Sequence, residues 1–441
     1  MRLLVLLLAA ALCQAQDINS KVGEYMQARV QLGKFMGSIL IARDGKVLVT
    51  KGYGSANLEL DVPNTPQTKF RLGSITKQFV SMAIMQLEER GKLKVTDPIC
   101  QYLENCPDAW KPITIHHLLS HTSGIWNFTS SPDYSKQWML PSRPAKTMEK
   151  FRDKPLDFEP GSKWSYSNSG YILLALILEK ASGLSYETYM QRNIFDPAGM
   201  KDSGHDTYEA ILKHRASGYA ERNGKLENAP YHDMSIPIGG GDLYSTVEDM
   251  FRWDQALNSD KLAKPETIAR MFIPVKNNYG YGWMIDQHLN RPRISHGGGI
   301  NGFVTAISRY PQDKALVVVL SNHMAANPAA VAGDLAAILF DMPYEFPKPN
   351  VAISLDPKLY DAYAGKYQLA PNFILTVTRE ADQLFAQATG QPRFEIFPES
   401  ETKFFLKVVE AKITFVKDSA GSVNEIILHQ GGRDMPAKRI P

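Results

Sequence analysis

Ser74 and Lys77 have the residue types and the spacing of an activated nucleophile. They are three positions apart in Ser74-Ile75-Thr76-Lys77, and residues three apart share one face of a helix. A serine hydroxyl is inert until a base takes its proton, and a nearby amine can take it. Burial of Lys77 would disfavour its charged form and lower its pKa toward that of a useful base. Taken alone, the pair is also typical of a helix-capping serine with a solvated lysine, so further motifs must decide.

A second group of polar side chains lies in Tyr166-Ser167-Asn168. Beside a cation such as Lys77, a tyrosine can exist as an anion or can pass a proton to a leaving group. Asparagine offers both a donor and an acceptor, which suits a substrate amide. The alternative explanation is a polar turn in front of the helix that begins near Tyr171.

A third group is the run His296-Gly297-Gly298-Gly299. Glycines allow a substrate to lie against a strand edge, and a backbone N–H there can complete an oxyanion hole. Gly299 is the candidate donor, together with the N–H of Ser74 at the start of its helix. We expect His296 to hydrogen-bond the substrate or the Tyr166–Lys77 pair, although a histidine before glycines is also typical of a turn.

The three motifs, in this order and at these separations, resemble the serine β-lactamase and penicillin-binding protein superfamily, in particular its class C-like branch. Members of that superfamily carry Ser-x-x-Lys, Tyr-x-Asn and a Lys/His-x-Gly triplet. The resemblance covers about residues 20 to 345 and extends to three further stretches. These stretches are Phe70-Arg71-Leu72-Gly73, residues 113–124 and residues 239–246.

The resemblance implies an acyl-enzyme on Ser74, with Lys77 and Tyr166 activating first the serine and then the deacylating water. It implies an oxyanion hole made by the backbone N–H groups of Ser74 and Gly299. It implies substrate contacts for Asn168, His296, Gly297 and Gly298. The substrate would be a small peptide or ester, and no cofactor and no metal is implied.

The third motif departs from the Lys-Thr-Gly that is typical of class C β-lactamases. His296-Gly297-Gly298 lacks both a permanent cation and a hydroxyl suited to the carboxylate of a penicillin or of a terminal D-Ala. Neutral histidine is a weaker anchor for an anion at pH 7. The departure disfavours efficient β-lactamase activity and weakens strict carboxypeptidase activity, whereas D-aminopeptidases and esterases of this superfamily remain compatible with it.

The favoured hypothesis is therefore a serine hydrolase that cleaves D-amino-acid-containing peptides, of the D-Ala-D-Ala carboxypeptidase or D-aminopeptidase type. An esterase or weak β-lactamase of the same superfamily is the first alternative. An inactive penicillin-binding or interaction protein is the alternative from another class. Retention of all the residue types of the motifs argues against the inactive protein.

Two other kinds of site are disfavoured. His117 and His121 have a metal-like spacing, but no glutamate lies beside the first histidine and no third ligand is evident. The chain has no Gly-x-Ser-x-Gly, so the nucleophile elbow of an α/β-hydrolase is not indicated.

Composition and the N-terminus indicate an exported globular protein. The chain has 441 residues, 44% of them hydrophobic, and a net charge of +3, which disfavours a nucleic-acid partner. Arg2 precedes an apolar run from Leu3 to Leu12, which predicts a cleaved signal peptide over residues 1–16 and a periplasmic or secreted protein. A lipoprotein anchor on Cys13 is the alternative, but the bulky Leu12 disfavours it. No later segment is long and apolar enough to predict an integral membrane span.

Cys100 and Cys106 remain after the predicted cleavage. An even, closely spaced pair in an oxidising compartment favours one local disulfide over two free thiols. Such a bridge would fasten a loop and would have no role in the chemistry.

The predicted elements give an α+β fold followed by a small all-β barrel. Residues 37–42 and 46–50 predict a β-hairpin, and Ser74 to Arg90 predicts a helix ended by Gly91. Strands are predicted again at 280–285, 302–309 and 314–320, followed by a helix at 329–340. Terminal strands around a helical insertion indicate a sheet packed against helices, beside a helical subdomain. The resemblance implies that residues 20–345 have the β-lactamase-like fold, with an antiparallel sheet flanked by helices.

A proline-rich linker at 346–349 separates this domain from residues 350–441. Six short strands are predicted beyond the linker, with turn signals between them. They lie at 374–378, 383–388, 394–397, 404–409, 413–416 and 423–429. This spacing predicts a small barrel or sandwich, and the region resembles the lipocalin-like barrels appended to related serine peptidases. Such barrels can mediate oligomers, so an oligomer formed through this domain is a further expectation.

Overall fold

The structure is a computed structural model that describes residues 2–222, 224–409, 411–419, 421–430 and 433–441, with side chains from Asp17 onward except Arg433. The described chain forms two compact units. One comprises Met1–Ala220 and Asn228–Glu345, and the other comprises Glu221–Glu227 and Phe346–Pro441. Among the described residues, no helix combines the length and the apolar character that a bilayer crossing requires.

The helices are α1 (Arg2–Gln31), α2 (Thr76–Glu89), α3 (Ile115–Leu119), α4 (Tyr134–Gln137), α5 (Pro144–Arg152), α6 (Asn168–Ser182), α7 (Tyr186–Met190), α8 (Asp196–Ala198), α9 (Val247–Leu257), α10 (Pro265–Arg270), α11 (Pro328–Leu339) and α12 (Tyr360–Tyr363).

The strands of the first unit are β1 (Gly37–Arg43), β2 (Lys46–Tyr53), β3 (Ser55–Asn57), β4 (Val62–Pro63), β5 (Phe70–Arg71), β6 (Gly204–His205), β7 (Tyr219–Arg222), β8 (Lys225–Asn228), β9 (Leu243–Ser245), β10 (Met284–His288), β11 (Arg291–Ile300), β12 (Phe303–Tyr310) and β13 (Ala315–Ser321), where β7 and β8 run into residues of the other unit.

The main sheet has six antiparallel strands in the order β10-β11-β12-β13-β1-β2. Its central strands β1 and β13 are buried on both faces, and neighbouring side chains enter different cores. Ile39 packs in the core that includes α1 and α11, whereas Leu40 packs in the core that includes α2, α6 and α9. The sheet is therefore covered by helices on both sides, as the sequence predicts.

The predicted helix from Ser74 is confirmed in outline, with a different first turn. Gly73–Ile75 form a 3₁₀ turn, and α2 continues from Thr76 to Glu89. Every residue of α2 from Thr76 to Leu87 is buried. Any polar side chain in this stretch must therefore find its partners inside the protein.

The strand predicted at 280–285 is wrong in position. β10 begins only at Met284, and residues 280–283 turn in front of it. The reason is Gly282, whose φ of +77° is outside the extended region and whose lack of a side chain leaves room for the carbonyl oxygen of Lys77, 2.8 Å from where a Cβ would lie. The strand edge predicted at His296–Gly299 is part of β11, which begins earlier, at Arg291.

The second unit contains a closed antiparallel barrel whose neighbouring strands follow each other in sequence. Its strands are β14 (Gly365–Ala370), β15 (Phe373–Glu380), β16 (Gln383–Ala388), β17 (Arg393–Pro398), β18 (Lys403–Leu406), β19 (Ala411–Lys417), β20 (Val423–Gln430) and β21 (Arg433–Ile440). β14 pairs with β21 and closes the ring. This is the up-and-down arrangement of lipocalins, and the predicted fold class is confirmed in both parts.

Candidate active site

Ser74 lies in the 3₁₀ turn between β5 and α2, half-buried at the wall of a cavity of about 280 Å³. Gly73 has a φ of +56°, and a Cβ built on it would lie 2.6 Å from the backbone nitrogen of Gly299. Only glycine permits both this conformation and this approach. The turn therefore brings the chain at Ser74 against strand β11.

Lys77 is fully buried, and its amine reaches three oxygen atoms. Nζ lies 3.0 Å from Ser74 Oγ, 2.8 Å from Asn168 Oδ1 and 2.6 Å from the carbonyl oxygen of Gly240. Its nitrogen also lies 4.9 Å from the centre of the Tyr166 ring. These contacts with three oxygen atoms and one ring fix the position of the Lys77 amine.

Burial lowers the pKa of Lys77 to about 7, against an opposing effect of the Asp242 carboxylate. A neutral amine has two protons and one lone pair. The oxygens of Asn168 and Gly240 can only accept, so they take the two protons. The lone pair then faces the Ser74 hydroxyl, which is the arrangement of a general base and its nucleophile.

Tyr166 precedes α6, and its hydroxyl oxygen is buried without a hydrogen-bond partner of good geometry in the described part of the chain. Burial raises its pKa, and the nearby Ser74 side chain opposes this only in part. The phenol is therefore neutral at pH 7, and the anionic form considered from the sequence is disfavoured. A buried, unpaired hydroxyl near Ser74 is available to carry a proton to or from a reacting group.

Asn168 is the first residue of α6, and both ends of its side-chain amide are fixed. Oδ1 accepts from Lys77, Nδ2 donates to Thr129 Oγ1 at 3.1 Å, and the backbone N–H donates to Asn127 Oδ1 at 3.0 Å. The residue also lines the cavity beside Ser74. Its first role in the structure is therefore to hold Lys77 in place.

His296 is buried and makes two hydrogen bonds with fixed roles. Nδ1 lies 2.6 Å from the carbonyl oxygen of Gly297, which can only accept, so Nδ1 carries the proton. Nε2 then accepts from the Tyr279 hydroxyl at 2.9 Å. Burial lowers the pKa of His296 to about 4, and the charge of Lys77 acts in the same direction. The ring is neutral and makes no hydrogen bond to Lys77 or Tyr166.

The glycines after His296 lie on a free strand edge. Pairing of β10 with β11 ends at Ser295, and no other strand of the described residues pairs with residues 296–300 on that side. Gly298 faces inward, where a Cβ would lie 1.9 Å from the carbonyl oxygen of Leu72. Its lack of a side chain therefore lets β11 pack closely against the backbone at Leu72. Gly297 and Gly299 are exposed, and Gly299 lines the cavity beside Ser74. Gly299 is thus placed where its N–H can meet a substrate oxygen.

Two residues with a direct part in this geometry were not predicted as site residues. Gly240 supplies a carbonyl oxygen to Lys77, and Asp242 accepts from the Gly239 N–H at 2.7 Å and pairs with His205 at 2.7 Å. Both belong to the Gly-Gly-Gly-Asp run noted only as a resemblance to the family. A glycine run that ends in a buried acid was the signal that could have identified them.

The two histidines with metal-like spacing have other partners. His117 Nδ1 accepts from the Thr114 N–H and caps α3. His121 Nδ1 accepts from the Ser167 N–H at 3.2 Å, and its ring centre lies 4.3 Å from that of Tyr166. His121 therefore positions the second motif. Within the residues that the structure describes, no three His, Cys, Asp or Glu side chains form a possible metal site.

Cys100 and Cys106 are joined by a disulfide, with their α-carbons 5.4 Å apart. The bridge closes a loop of the helical subdomain whose sulfur-bearing side chains pack against the larger core. It does not line the cavity beside Ser74.

Comparison with known proteins places the chain in a family. The sequence profile described as Beta-lactamase matches residues 19–341. The chain belongs to the Beta-lactamase family. It is accordingly a serine hydrolase of the β-lactamase and penicillin-binding protein superfamily. A second profile, described as a domain of unknown function (DUF3471), matches residues 349–439.

Individual members of the Beta-lactamase superfamily resemble the chain over most of its length. Penicillin-binding protein 4* of Bacillus subtilis is 33% identical over 92% of this chain and 95% of its own. The teichoic acid D-alanine hydrolase of Staphylococcus aureus is 30% identical over 68% of this chain and 73% of its own. The octameric penicillin-binding protein homologue from Pyrococcus abyssi is 28% identical over 95% of this chain and 99% of its own, with a TM-score of 0.69.

Proposed function

We propose that this protein is an exported hydrolase that forms an acyl-enzyme on Ser74 and cleaves peptides containing D-amino acids, of the D-Ala-D-Ala carboxypeptidase or D-aminopeptidase type. The observation that carries the hydrolytic part of the proposal is the fully buried amine of Lys77, whose Nζ lies 3.0 Å from Ser74 Oγ and whose pKa is lowered by burial to about 7. A general base that works near pH 7 needs a pKa in this range, and the short distance to Ser74 Oγ places its nucleophile within reach.

The proposed acylation begins when Lys77 takes the proton of Ser74 and Oγ attacks the substrate carbonyl carbon. The N–H groups of Ser74 and Gly299 hold the oxyanion that forms. The tetrahedral intermediate then collapses, and the bond to the leaving group breaks. Tyr166 passes the proton from Lys77 to the leaving amine or alkoxide, because its neutral hydroxyl is free to exchange one proton for another.

Deacylation repeats these steps with water. Lys77 and Tyr166 take a proton from the water, which attacks the acyl carbon, and Ser74 leaves with its proton restored. The sum is one acyl bond broken, one water consumed, and an acid and an amine or alcohol released. No cofactor or metal takes part.

Names of relatives support a D-amino-acid substrate. Two relatives at 30% identity or more are named as a penicillin-binding protein and as a teichoic acid D-alanine hydrolase. We propose that Asn168 and the free edge from His296 to Gly299 bind the substrate backbone, with Gly297 presenting its exposed edge to the substrate and Gly298 keeping the edge close to Ser74.

Hydrolysis of small acyl esters is a second candidate function, and the state of His296 favours it. The neutral imidazole offers no permanent charge to a substrate carboxylate at the position where Lys-Thr-Gly enzymes have a cation. An ester without a terminal carboxylate needs no such charge.

A stereochemically matched panel tests the proposal and separates the candidates. The p-nitroanilides and p-nitrophenyl esters of D-alanine and L-alanine are compared, with Ser74→Ala as control. The proposal predicts hydrolysis of the D-anilide well above that of the L-anilide, lost in the variant. Ester hydrolysis without stereochemical preference would favour the esterase, and equal rates for wild type and Ser74→Ala would leave only the inactive binding protein.

We further propose that residues 1–16 direct export and are then cleaved off, and that the Cys100–Cys106 bridge forms outside the cytoplasm. The intact mass of the protein from the periplasm or the medium tests both points. The measured mass should be that of residues 17–441 less the two hydrogens that are lost when the disulfide forms. The mass of the full-length chain with both thiols would contradict export.

Self-association is a third part of the proposal. A relative matched over 95% of this chain is described as octameric. We propose that this protein also forms an oligomer, with the C-terminal barrel taking part. Light scattering after gel filtration should give a mass above that of one chain, and a monomer at all concentrations would contradict this.

A further inference from the structure

A second cavity, of about 370 Å³, lies beside the one at Ser74 and shares two of its lining residues, His232 and Asn301. These two residues are bonded to each other, with His232 Nδ1 donating to Asn301 Oδ1 at 3.2 Å. They form a wall with one face toward each cavity. The two cavities are therefore adjacent and are separated by these two side chains.

The second cavity is lined by two arginines that share a single carboxylate. Arg71 Nε donates to Asp206 Oδ2 at 2.7 Å, and Arg215 Nη1 donates to Asp206 Oδ1 at 2.8 Å. The side chain of Asp206 is 1% exposed, and neither of its oxygens faces the cavity unpaired. Two positive charges and one negative charge leave an excess of one cation at this wall.

The two guanidinium groups keep donors for a ligand. Arg71 uses only Nε and Arg215 only Nη1 in hydrogen bonds within the described residues, so each retains terminal N–H groups. Their side chains are 17% and 33% exposed, which leaves them accessible yet partly desolvated. Arg71 also lies 5.9 Å from the centre of the Phe303 ring, which limits its movement. Fixed guanidinium donors are suited to carboxylate and phosphate oxygens.

No uncompensated negative charge lines this cavity among the described residues. Burial lowers the pKa of His232 to about 4, with Arg71 acting in the same direction, so the imidazole is neutral. Partial desolvation and the hydrogen bond to Asp233 raise the pKa of Tyr231 to about 12, so its phenol is neutral too, although the side chain is exposed. Two further acids lie just outside the lining. Glu59 accepts from Nδ2 of Asn228, a lining residue, at 2.8 Å. Asp233 lines a neighbouring cavity, and its oxygens accept from Ser235 and Tyr231.

The chain itself connects the arginine pair to the nucleophile. Arg71 precedes Ser74 by three residues, so their α-carbons lie at most about 11 Å apart. On the other wall, Asn301 follows Gly299 by two residues. The two chain segments that flank the reacting centre, those of Ser74 and Gly299, therefore each also contribute a residue to the lining of the second cavity.

We propose that the cavity of Arg71 and Arg215 is a subsite for an anionic group of the substrate, a carboxylate or a phosphate, located beyond the bond that is cleaved at Ser74. The inference rests on the proposed hydrolytic function and adds its substrate class. It also accounts for a neutral histidine at position 296, because the cation that an anionic substrate needs is supplied from the other side of Ser74.

Matched substrates and two arginine variants test the subsite. D-Alanyl anilides are prepared with a neutral carboxamide, a carboxylate or a phosphate on the leaving group, and N-acetyl-D-alanyl and N-succinyl-D-alanyl anilides place the charge on the acyl side. Arg215→Gln removes the excess charge and leaves Arg71 paired with Asp206. Arg252→Gln is the matched control, because Arg252 is also a half-exposed arginine that pairs with a buried carboxylate, Asp249 at 2.6 Å, away from this cavity.

The wild type should favour at least one anionic substrate over its neutral counterpart by about tenfold in kcat/KM, the effect of about 1.4 kcal/mol from one charge-assisted interaction. Arg215→Gln should bring that ratio close to one and leave the neutral substrate unaffected, whereas Arg252→Gln should keep the wild-type ratio. The carboxylate and phosphate arms identify which anion is preferred. Equal ratios in wild type and Arg215→Gln, or no anionic preference in either series, would overturn the proposal.

Failure of the proposed function is distinguishable from failure of the subsite. If the wild type hydrolyses none of the neutral anilides, the D-peptidase proposal fails, and the subsite is tested by labelling Ser74 with a fluorophosphonate in the presence of inorganic phosphate. The subsite predicts that phosphate slows labelling of the wild type and of Arg252→Gln more than that of Arg215→Gln. Equal slowing of all three proteins would overturn it.

Discussion

Gly73 and Gly299 approach so closely that a Cβ on Gly73 would lie 2.6 Å from the backbone nitrogen of Gly299. The first glycine belongs to the turn that carries Ser74, and the second belongs to the free edge of β11. The contact joins the two segments whose N–H groups are proposed to form the oxyanion hole. The distance between these donors is therefore set by a glycine–glycine contact.

Gly73→Ala should abolish activity by separating these two segments. The variant adds the strain of a positive φ, about 1–2 kcal/mol, and a clash that must move β11 away from Ser74. Displacement of an oxyanion donor lowers kcat by about 100-fold or more. The measurement is kcat on the best substrate together with the free energy of unfolding.

Gly91→Ala is the control for that experiment. Gly91 has a similar φ of +68°, but a Cβ there meets no atom within 4 Å. It should lose only the part of the stability that comes from the strained φ, about 1–2 kcal/mol, and keep its activity. Full activity in Gly73→Ala, or equal loss in both variants, would show that the contact with Gly299 has no catalytic role.

Tyr166→Phe should lose activity without losing stability. The hydroxyl is buried and has no hydrogen-bond partner of good geometry among the described residues, so its removal relieves an unsatisfied polar group. A proton carrier contributes about 100-fold to 10,000-fold in rate. The measurements are kcat and the midpoint of urea unfolding.

Tyr171→Phe is the control, and it should lose stability without losing activity. The Tyr171 hydroxyl donates to the Leu119 carbonyl at 3.0 Å and lies 3.2 Å from Ser81 Oγ. Its removal should cost about 1–2 kcal/mol of stability and little activity. An active Tyr166→Phe enzyme would exclude Tyr166 from proton transfer.

The pH dependence should follow the proton on Lys77. Burial lowers the pKa of this amine to about 7, and the base must be neutral to accept from Ser74. Below that pH the amine is protonated, so kcat/KM should fall with falling pH in proportion to the neutral fraction, and it should level off above about 8. His296→Gln should keep this inflection, because burial lowers the pKa of His296 to about 4. An inflection that disappears in His296→Gln would assign it to the histidine instead.

Limited proteolysis should cut the chain near Phe346. Residues 343–356 have no regular secondary structure, and Phe346, Val351 and Ile353 are exposed although they are apolar. We expect a stable fragment that ends near the linker at 346–349, in agreement with domains at 20–345 and 350–441. First cuts inside the six-stranded sheet or the barrel would contradict these boundaries.

The chemistry of the site was predictable from sequence where a residue's type fixes its task. Ser74 and Lys77 were recognisable because helical spacing brings a hydroxyl and an amine together, and the 3₁₀ turn that leads into α2 has this geometry. The pairing of Lys77 with Gly240 was not predictable, because a backbone carbonyl carries no side-chain signal and the contact spans 163 residues. The fixed tautomer of His296 likewise depends on Tyr279, which reaches it only through the folded sheet.

Strand prediction failed where tertiary closure overrides local propensity. Strands β14 and β21 were missed, and β21 contains Pro436 and four charged residues among its eight. Such a segment pairs because the barrel must close, with β14 on one side and β20 on the other. The six predicted barrel strands are those with apolar alternation, which is readable from sequence.

The most direct test of the central claim is the site of covalent labelling by a fluorophosphonate probe. Wild type and Ser74→Ala are incubated with the probe, and the intact masses and the modified peptide are determined by mass spectrometry. The account predicts one adduct per chain on the peptide that contains Ser74, and none on the variant. An adduct on another residue, or equal labelling and activity in Ser74→Ala, would contradict it.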